Sequence, residues 1–470
     1  MKKEDQEKNL TKEEYKIKLD TEIEGDANKM GSAPIGKLLA SMAWPAIISM
    51  TINALYNIVD SIFVAMLSQK ALTAVSFVMP LQLLMISMGV GSAIGVNSLI
   101  ARRLGARRYD EADKAASTSI RIGLFNFVIF AAMGLLIARP FMSSYTDDPQ
   151  IYQYGADYLR IVTTLSIFSM IQIQLEKVLQ ATGNMIAPMV ISLSGAVTNI
   201  ILDPILIFGL FGAPRLEVAG AAIATVIGQG LAMTVALFMF FKKEHDVKII
   251  IRGFKMDWKV VKDIYAVGLP SIIMQSIGSI MLLGYNAILA ASATAVAVLG
   301  VYFKLQSFVF MPVFGLNQGA MPIMGYNYGA RNRKRLMDTY KKALVTALII
   351  MAIGVVVFQT MPHLLLRMFS ANEEMLRMGV PALRIISICF IPASFGIMCS
   401  TLFQGTGHGV YSLFASLLRQ LVCILPLAYV LYHFAGVTWS WASFPLAEIV
   451  GTIYSALMLY HLYKKEIKNL

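Results

Sequence analysis

Four acidic residues lie inside strongly apolar stretches of this chain: Asp60, Glu176, Asp203 and Glu448. An acid at the centre of a membrane helix costs at least about 2.5–3.5 kcal/mol, so acids in such surroundings usually have a function. Because a low-dielectric environment favours the neutral carboxyl group, Asp60 or Asp203 could take up and release a proton. A carboxylate with oxygen-bearing neighbours could also hold Na⁺.

Asn199 and Asp203 form the most suggestive pair, because residues four apart share one face of a helix. Pro204 follows directly and leaves the carbonyl of residue 200 without its helical donor. The pair could hold a proton, a Na⁺ ion or a hydrogen-bond network. The alternative is that these acids only tie helices together through buried hydrogen bonds, and that structural role is the one we expect for Glu448.

The elements that position these residues are predicted to be membrane helices. Of the 470 residues 57% are hydrophobic and 14% charged, whereas soluble domains carry about 25% charged residues. Apolar runs of the ~20 residues that a spanning helix needs recur along the chain, and only helices satisfy their backbone in lipid without strand partners. Twelve spans are predicted, at 39–66, 71–98, 116–139, 156–180, 186–211, 217–241, 264–290, 294–321, 338–360, 379–404, 409–433 and 438–463.

Lysine and arginine fall mainly on alternate connections, at 101–121, 242–262 and 329–342. This bias orients both termini to the cytoplasm. The net charge of +12 is therefore a membrane-topology signal, and no nucleic-acid partner is expected. The predicted organisation is a cytoplasmic tail (1–35), a first six-span lobe (36–241), a cytoplasmic linker (242–262), a second six-span lobe (263–463) and a C-terminal tail (464–470).

The two halves repeat at a spacing of 224 residues. Residues 97–107 recur in shape at 321–331, and the Gln-x-Thr-Gly sequence at 180–183 recurs at 404–407. Because each half has an even number of spans, both insert the same way up and form a parallel repeat. Such architectures place a substrate cavity between the halves and rock one half against the other. One chain thus supplies both bundles, and we expect a monomer.

The acids are not repeated between the halves, which indicates a role other than building the fold. Ser400 stands where the repeat would place a second Glu176, and no acid matches Asp203. We therefore expect ion coupling in the first half. The second half carries Lys304 and Arg419 in its spans, both expected to be buried, where they could pair with an acid, bind an anionic group or reach along cavity water.

Further candidates are a hinge and a set of cavity residues. Pro45, Pro270 and Pro312 are predicted to interrupt their spans, which in membranes marks bends and cavity-facing segments. Pro45 lies fifteen residues before Asp60, so protonation of Asp60 could change how the first span bends. Four more residues are candidates for substrate contact: Asn57, Gln82, Tyr302 and Gln306.

No enzymatic signature is visible in the sequence. A Walker A motif is absent, so ATP is not the expected energy source. No serine–histidine constellation or zinc spacing occurs, and the three cysteines lie in apolar segments without a metal or disulfide pattern. We expect a protein that is not an enzyme and needs no cofactor beyond a coupling ion.

The sequence resembles the multidrug and toxic-compound extrusion (MATE) transporters over residues 36–463. The resemblance lies in Asn57-x-x-Asp60 with Phe63-Val64, in 97–106, in Gln180-Ala-Thr-Gly-Asn184, in the segment from Asn199 to Gly209, and in 220–225. The pattern is similar to the DinF-like, MepA-like branch.

The resemblance implies two six-helix lobes around a central cavity and exchange against H⁺ or Na⁺. It places Asp60, Asn199, Asp203 and Thr225 in a first-lobe ion site, with a backbone carbonyl from Ala221. Glu176 and Asp203 match acids tied to drug recognition, and Pro45 matches a proline at which the first span bends. Another branch couples Na⁺ through acids in the second lobe, and spans 7 and 10 of this chain lack them.

The expected function is export of small amphipathic, mostly cationic molecules across the cytoplasmic (inner) membrane of a prokaryote, driven by H⁺ or Na⁺. The alternative within transport is a flippase for lipid-linked precursors, or a metabolite exporter, of a related superfamily. It predicts a basic central cavity, for which Lys304 and Arg419 give weak support. An intramembrane enzyme or sensor would need a catalytic constellation or an appended domain, and neither is visible.

Overall fold

The computed structural model describes residues 28–242, 246–250, 256–369 and 371–470. Most of the predicted N-terminal tail, residues 1–27, lies outside the described residues. The same holds for 243–245 and 251–255 of the predicted linker.

Helices make up the architecture, and within the described ranges no strand occurs. Among the described residues, ten helices are long and apolar enough to cross a membrane, and two bent pairs bring the number to twelve. This confirms the predicted all-α membrane fold. The helices are α1 (Ile35–Leu67), α2 (Gln69–Gly105), α3 (Tyr109–Leu136), α4 (Pro149–Thr164 and Ile167–Ala181), α5 (Ile186–Phe208), α6 (Glu217–Lys242), α7 (Trp258–Leu289), α8 (Ala293–Gly329), α9 (Arg333–Thr360), α10 (Glu373–Ser387 and Phe390–Thr406), α11 (Gly409–Ala435) and α12 (Val437–Asn469).

The repeat seen in the sequence is also present in the local geometry. Ser68 caps α2 by accepting from the N–H of Ala71, and Ser292 caps α8 in the same way, 224 residues later. Gly183 and Gly407 follow α4 and α10 with φ of 84° and 95°, a left-handed conformation that glycine adopts without steric cost. Equivalent turns thus end equivalent helices in the two halves.

Two breaks in the helices were not predicted. Helices α4 and α10 each bend by 48°, at Leu165–Ser166 and at Ile388–Cys389, which lie within one residue of equivalent positions in the repeat. A third irregularity is a π-helical stretch within α11 from Leu418 to Ile424. Such wide turns often occur at functional sites.

The expectation that proline interrupts the spans is not met. Helix α1 runs continuously through Pro45, α7 through Pro270 and α8 through Pro312. A proline removes one backbone hydrogen bond, and membrane helices tolerate this because neighbours re-satisfy the freed groups. Pro45 therefore lies in an unbroken helix in this conformation.

The two halves meet closely at one end of the bundle, which we call the basic end. It holds the short helix Lys29–Ser32, the α2–α3 and α8–α9 connections and the C-terminal residues. Hydrogen bonds from Asn327, Tyr328 and Arg333 join the α8–α9 region to the short helix and to the C-terminal residues. Here Arg103 of α2 pairs with Asp263 of α7 at 3.1 Å, and Ser98 of α2 donates to the carbonyl of Gln404 in α10.

Small residues make this close approach possible. Gly95 of α2 lies against the carbonyl of Ile264 in α7, and Gly319 of α8 lies against Ala43 in α1. In each case a side chain at the glycine would collide with the backbone of the other half. Helix interfaces in membranes use small residues in this way, because dispersion contacts between close backbones replace the hydrophobic effect. The halves are therefore closed against each other at the basic end.

Candidate functional site

A buried polar cluster in the first half joins three helices. Asp60 comes from α1, Asn199 and Asp203 from α5, and Thr225 from α6. The side-chain amide of Asn199 donates to Asp203 Oδ1 and also lies 3.2 Å from Thr225 Oγ1. Asp203 is completely buried and Asn199 nearly so. The i, i+4 spacing of Asn199 and Asp203 thus gives the contact expected from the sequence.

Small residues let α5 and α6 approach closely enough to form this cluster. A side chain at Gly228 would meet the backbone of Gly195 at 2.8 Å and the Cβ atom of Asn199 at 3.3 Å. Ala221 is fully buried one turn before Thr225. Close backbone packing of this kind brings the amide of Asn199 within reach of Thr225 on the next helix.

The carboxyl groups of Asp60 and Asp203 lie close enough to each other to interact between α1 and α5. Oδ1 of Asp60 and Oδ2 of Asp203 are buried, and in the described part of the chain neither has a protein donor. Two carboxylates in contact cannot both remain ionised without a large electrostatic cost, so such pairs share a proton or bind a cation. The arrangement is therefore suited to holding one proton or one small cation.

Two tyrosines complete the cluster, and both were missed in the sequence. Tyr56 lies near Thr225 and Asp60, and it precedes Asp60 by one turn on α1. Tyr158 of α4 lies near Asp60 and accepts from Nε2 of Gln82 at 3.3 Å. The four-residue spacing of Tyr56 and Asp60 places both on one helix face and could have indicated Tyr56. Tyr158 comes from a distant segment, and no sequence motif connects it to the cluster.

The candidate substrate residues do not all lie together. Glu176 Oε1 accepts from Gln172 at 3.1 Å and from Ser192 at 3.3 Å. Ser192 precedes Asp203 by eleven residues, about 16 Å along a helix, so Glu176 is separate from the cluster. Asn57 is exposed and Gln306 half-buried.

Tyr302 is 1% exposed and packs between Phe303 and Phe444 in the core of the second half. In this conformation it is a core residue, although its hydroxyl has no partner in the described part of the chain. A cavity contact for Tyr302 would require the surrounding helices to move.

The two basic residues predicted in spans of the second half, Arg419 and Lys304, lie in different surroundings. Arg419 Nη1 donates to Glu448 Oε2 at 2.9 Å, and Glu448 is 5% exposed. This agrees with a structural role for Glu448 and with an acid partner for Arg419. The expected burial of Lys304 is wrong, because its side chain is exposed and its ammonium lies 5.9 Å from the ring centre of Phe369. A long side chain can lie along an apolar surface while its charge stays outside.

A cavity of about 420 Å³ lies between the two halves. The first half contributes Asn97, Lys177 and Gln180, and the second contributes Gln404, Arg419 and Glu448. Its apolar wall includes methionines. Lys177 spans the boundary, because its ammonium donates at 2.8 Å both to Gln180 and to Gln318 of α8.

Comparison with known proteins connects this architecture to a family. The MatE family profile matches residues 45–205 and 266–430. Among curated proteins, the multidrug export protein MepA of Staphylococcus haemolyticus is 27% identical over 430 residues, covering 91% of this chain and 94% of that protein. MepA of Staphylococcus aureus strain MRSA252 is 25% identical over 440 residues, with the same coverage.

Solved structures show the same arrangement. A MOP-superfamily transporter from Pyrococcus furiosus superposes with a TM-score of 0.86 at 26% identity, covering 94% of this chain and 99% of that one. An outward-facing multidrug resistance MATE transporter gives 0.86 at 27% identity with the same coverage. The family consists of transporters, which confirms that the chain is not an enzyme. The chain is a multi-pass membrane transporter of the MATE family.

Proposed function

We propose that this transporter exports small amphipathic organic molecules in exchange for protons, and that Asp60 and Asp203 form the coupling site. The single observation that carries the proposal is that these two neighbouring carboxyl groups each have one buried oxygen without a protein donor among the described residues. The multidrug export activity named for the staphylococcal relatives supports the substrate class.

In this mechanism the shared proton is the coupling ion. With the proton in place, the two carboxyl groups attract each other and hold α1 against α5. Loss of the proton makes them repel, which favours separation of α1 from α5. Because α1 also packs against α8 of the other half at Gly315 and Gly319, a movement of α1 is transmitted to the boundary between the halves.

The orientation follows from the charge distribution. We place the basic end in the cytoplasm, so the present conformation is closed toward the cytoplasm. A proton would then enter from the outside, and substrate would leave to the outside. One charge crossing 100 mV supplies about 2.3 kcal/mol, which supports a concentration ratio of roughly 50-fold. An exchange of one or two protons that moves net charge is therefore enough for a modest gradient.

Sodium is the second candidate ion, favoured by a specific observation. Besides the two aspartate oxygens, Oδ1 of Asn199 is also buried without a donor in the described residues. Three such oxygens, together with the hydroxyl of Thr225 at 3.2 Å from the Asn199 amide, would suit a small cation as well as a proton.

The test is substrate-driven exchange in proteoliposomes. An imposed pH gradient is established with and without Na⁺, and ethidium is added to wild type, Asp203→Asn and Asp157→Asn. Asp157 is a matched control, because its carboxylate binds only the exposed amide of Gln153 among described contacts. We expect ethidium to dissipate the gradient in wild type and Asp157→Asn and not in Asp203→Asn. A strict requirement for Na⁺ would mean that Na⁺ rather than H⁺ is the coupling ion. An Asp203→Asn protein as active as wild type would contradict the assignment of Asp203 to the coupling site.

A further inference from the structure

A second cavity, of about 860 Å³, is a groove on the outer surface of the helix bundle. It lies between α1 of the first half and α8 and α9 of the second, and it shares no lining residue with the cavity between the halves. Three of its large apolar side chains are more than half exposed, Trp44 of α1, Phe308 of α8 and Val345 of α9. The groove therefore opens toward the surrounding membrane and is separate from the cavity between the halves.

The walls of the groove are apolar along most of its length. Helix α9 lines it from Lys341 to Val357, two positions that lie about 24 Å apart along a helix. The hydrocarbon of one leaflet is about 15 Å deep, half of the whole core, so the groove is longer than a leaflet is deep. Small residues on α1, Gly36, Ala40 and Ala43, leave room beside that helix. The shape is therefore suited to an extended hydrocarbon chain.

Two lysines lie at the mouth of the groove near the basic end. Lys341 and Lys342 are exposed and line the groove, whereas no acidic side chain of the described residues does so. The ammonium of Lys342 lies 4.0 Å from a side chain built at Gly36, so it reaches from α9 of the second half toward α1 of the first. Asp338, one turn earlier on α9, also acts electrostatically on the guanidinium of Arg335, and one carboxylate does not balance two lysines. The mouth therefore carries a net positive charge.

A membrane molecule with a hydrocarbon chain and an anionic head group matches this arrangement. Basic pockets between membrane helices on the cytoplasmic side bind the head groups of anionic lipids. We propose that the groove binds an anionic phospholipid of the leaflet at the basic end, with its phosphate at Lys341 and Lys342 and one acyl chain along α9 toward Val357. The bound lipid contacts α1 of one half and α8 and α9 of the other, so it joins the two halves outside the cavity between them. Lipid binding here requires no particular exported molecule or coupling ion.

Brominated lipids test the site through Trp44, because bromine on an acyl chain quenches tryptophan fluorescence at close approach. The purified transporter is placed in phosphatidylcholine nanodiscs that contain rising fractions of dibrominated phosphatidylglycerol or dibrominated phosphatidylcholine. The Trp44 signal is the difference between wild type and Trp44→Phe. We expect half-maximal quenching at a fraction of phosphatidylglycerol at least about fivefold lower than that of phosphatidylcholine, since one lysine near an anionic head group contributes a factor of about five. Equal fractions would overturn the assignment of an anionic lipid.

Two double variants separate recognition at the groove from the general positive charge of the basic end. Lys341→Gln/Lys342→Gln should remove the preference for phosphatidylglycerol. Lys464→Gln/Lys465→Gln is the matched control, because these lysines are also adjacent and exposed but do not line the groove, and it should keep the preference. An equal loss of preference in both double variants, or no loss in either, would overturn the assignment of Lys341 and Lys342.

A third variant tests whether the groove itself holds the acyl chain. Ala40→Phe places a ring in the groove at an exposed position and leaves both lysines in place, so it should remove the preference for phosphatidylglycerol. Ala132→Phe, at an exposed alanine of α3 outside the groove, should not. Lysines that act only by extending their charge to the membrane surface predict an unchanged preference in Ala40→Phe, which would overturn the groove as the binding site. Relief of the quenching by the colourless organic cation tetraphenylphosphonium would indicate a path for exported cations and would overturn the lipid assignment.

Discussion

Gly105 at the end of α2 and Gly329 at the end of α8 occupy equivalent positions, 224 residues apart, and each lies against the helix of the other half. Gly105 meets the carbonyl of Tyr326, and Gly329 meets the carbonyl of Arg102. The short helix Lys29–Ser32 covers this boundary, because the carbonyl of Met30 accepts from Asn327 and Arg335. The closure at the basic end therefore depends on backbone contact.

Replacing Gly329 by valine should open the basic end. A side chain there collides with the backbone of Arg102, so the halves must separate. The reporter is a cysteine at Ser98, which is 1% exposed and binds the carbonyl of Gln404, in a chain whose native cysteines are serine. We expect Gly329→Val to raise the thiol-labelling rate several-fold.

Gly300→Val is the matched control, since Gly300 lies on the same helix and nothing lies within 4 Å of a side chain built there. Labelling in Gly300→Val should match the parent chain. If Gly329→Val labels as slowly as Gly300→Val, the halves are not held closed by this contact.

The side-chain amide of Asn199 should contribute more to the exchange of substrate for the coupling ion than the hydroxyl of Thr225 does. Asn199→Ala removes the donor to Asp203 Oδ1, and we expect the exchange rate to fall about tenfold or more, since hydrogen bonds to charged groups contribute about 1.5–3 kcal/mol. Thr225→Val removes one oxygen and keeps the shape. Proton exchange should survive Thr225→Val with a modest loss, whereas a Na⁺-driven transporter would lose cation affinity. Ethidium exchange in proteoliposomes measures both variants.

The effects of replacing Arg419 and Glu448 on the free energy of unfolding should be strongly non-additive. Arg419→Met leaves Glu448 buried without its partner and should destabilise the protein by about 3 kcal/mol, the lower end of the usual range, because the arginine side chain is 28% exposed. The double variant Arg419→Met/Glu448→Leu should recover most of the loss. Thermal unfolding of detergent-solubilised protein gives the comparison. Additive losses in the double variant would contradict the coupling.

The Lys70–Asp148 pair, at the end opposite the basic end, should give a pH-dependent contribution. The Lys70 ammonium at 2.7 Å, with the N–H groups of Ile151 and Gln150, holds the pKa of Asp148 below its usual range. The contribution is therefore complete above the unfolded value of about 3.9 and is lost as the pH falls through the lower folded value. Asp148→Ala should lower Tm near neutral pH, and the difference from wild type should vanish in strong acid. Asp147→Ala, at the exposed neighbouring position, is the control for the loss of an aspartate side chain from this connection.

Most of the fold was predictable because its signals are local or periodic. Run length specifies spanning helices, and the repeat spacing carries over to the caps at Ser68 and Ser292. The 48° breaks in α4 and α10 were not predictable, because Leu165 and Ile388 are residue types that also occur inside regular helices. The prolines misled because a membrane helix can continue through a proline where neighbours satisfy the freed backbone groups, as α1, α7 and α8 do.

The candidate site was predictable only in part. The contact between Asn199 and Asp203 follows from helical spacing, whereas the contact between Asp60 and Asp203 joins two helices and was indicated only by the family resemblance. Tyr158 could not be found, because its position near Asp60 depends on how α4 packs within the first half. Lys304 was expected to be buried because its span is apolar, but position along a helix does not determine which face is covered.

The most direct test of the central claim is infrared difference spectroscopy of the purified transporter near neutral pH. The carbonyl stretch of a protonated carboxyl group reports whether Asp60 and Asp203 share a proton. We predict a band that titrates in wild type and in Asp157→Asn, disappears in Asp60→Asn/Asp203→Asn, and diminishes when substrate binds. A wild-type spectrum without such a band, or a band that persists in the double variant, would contradict proton coupling at this pair.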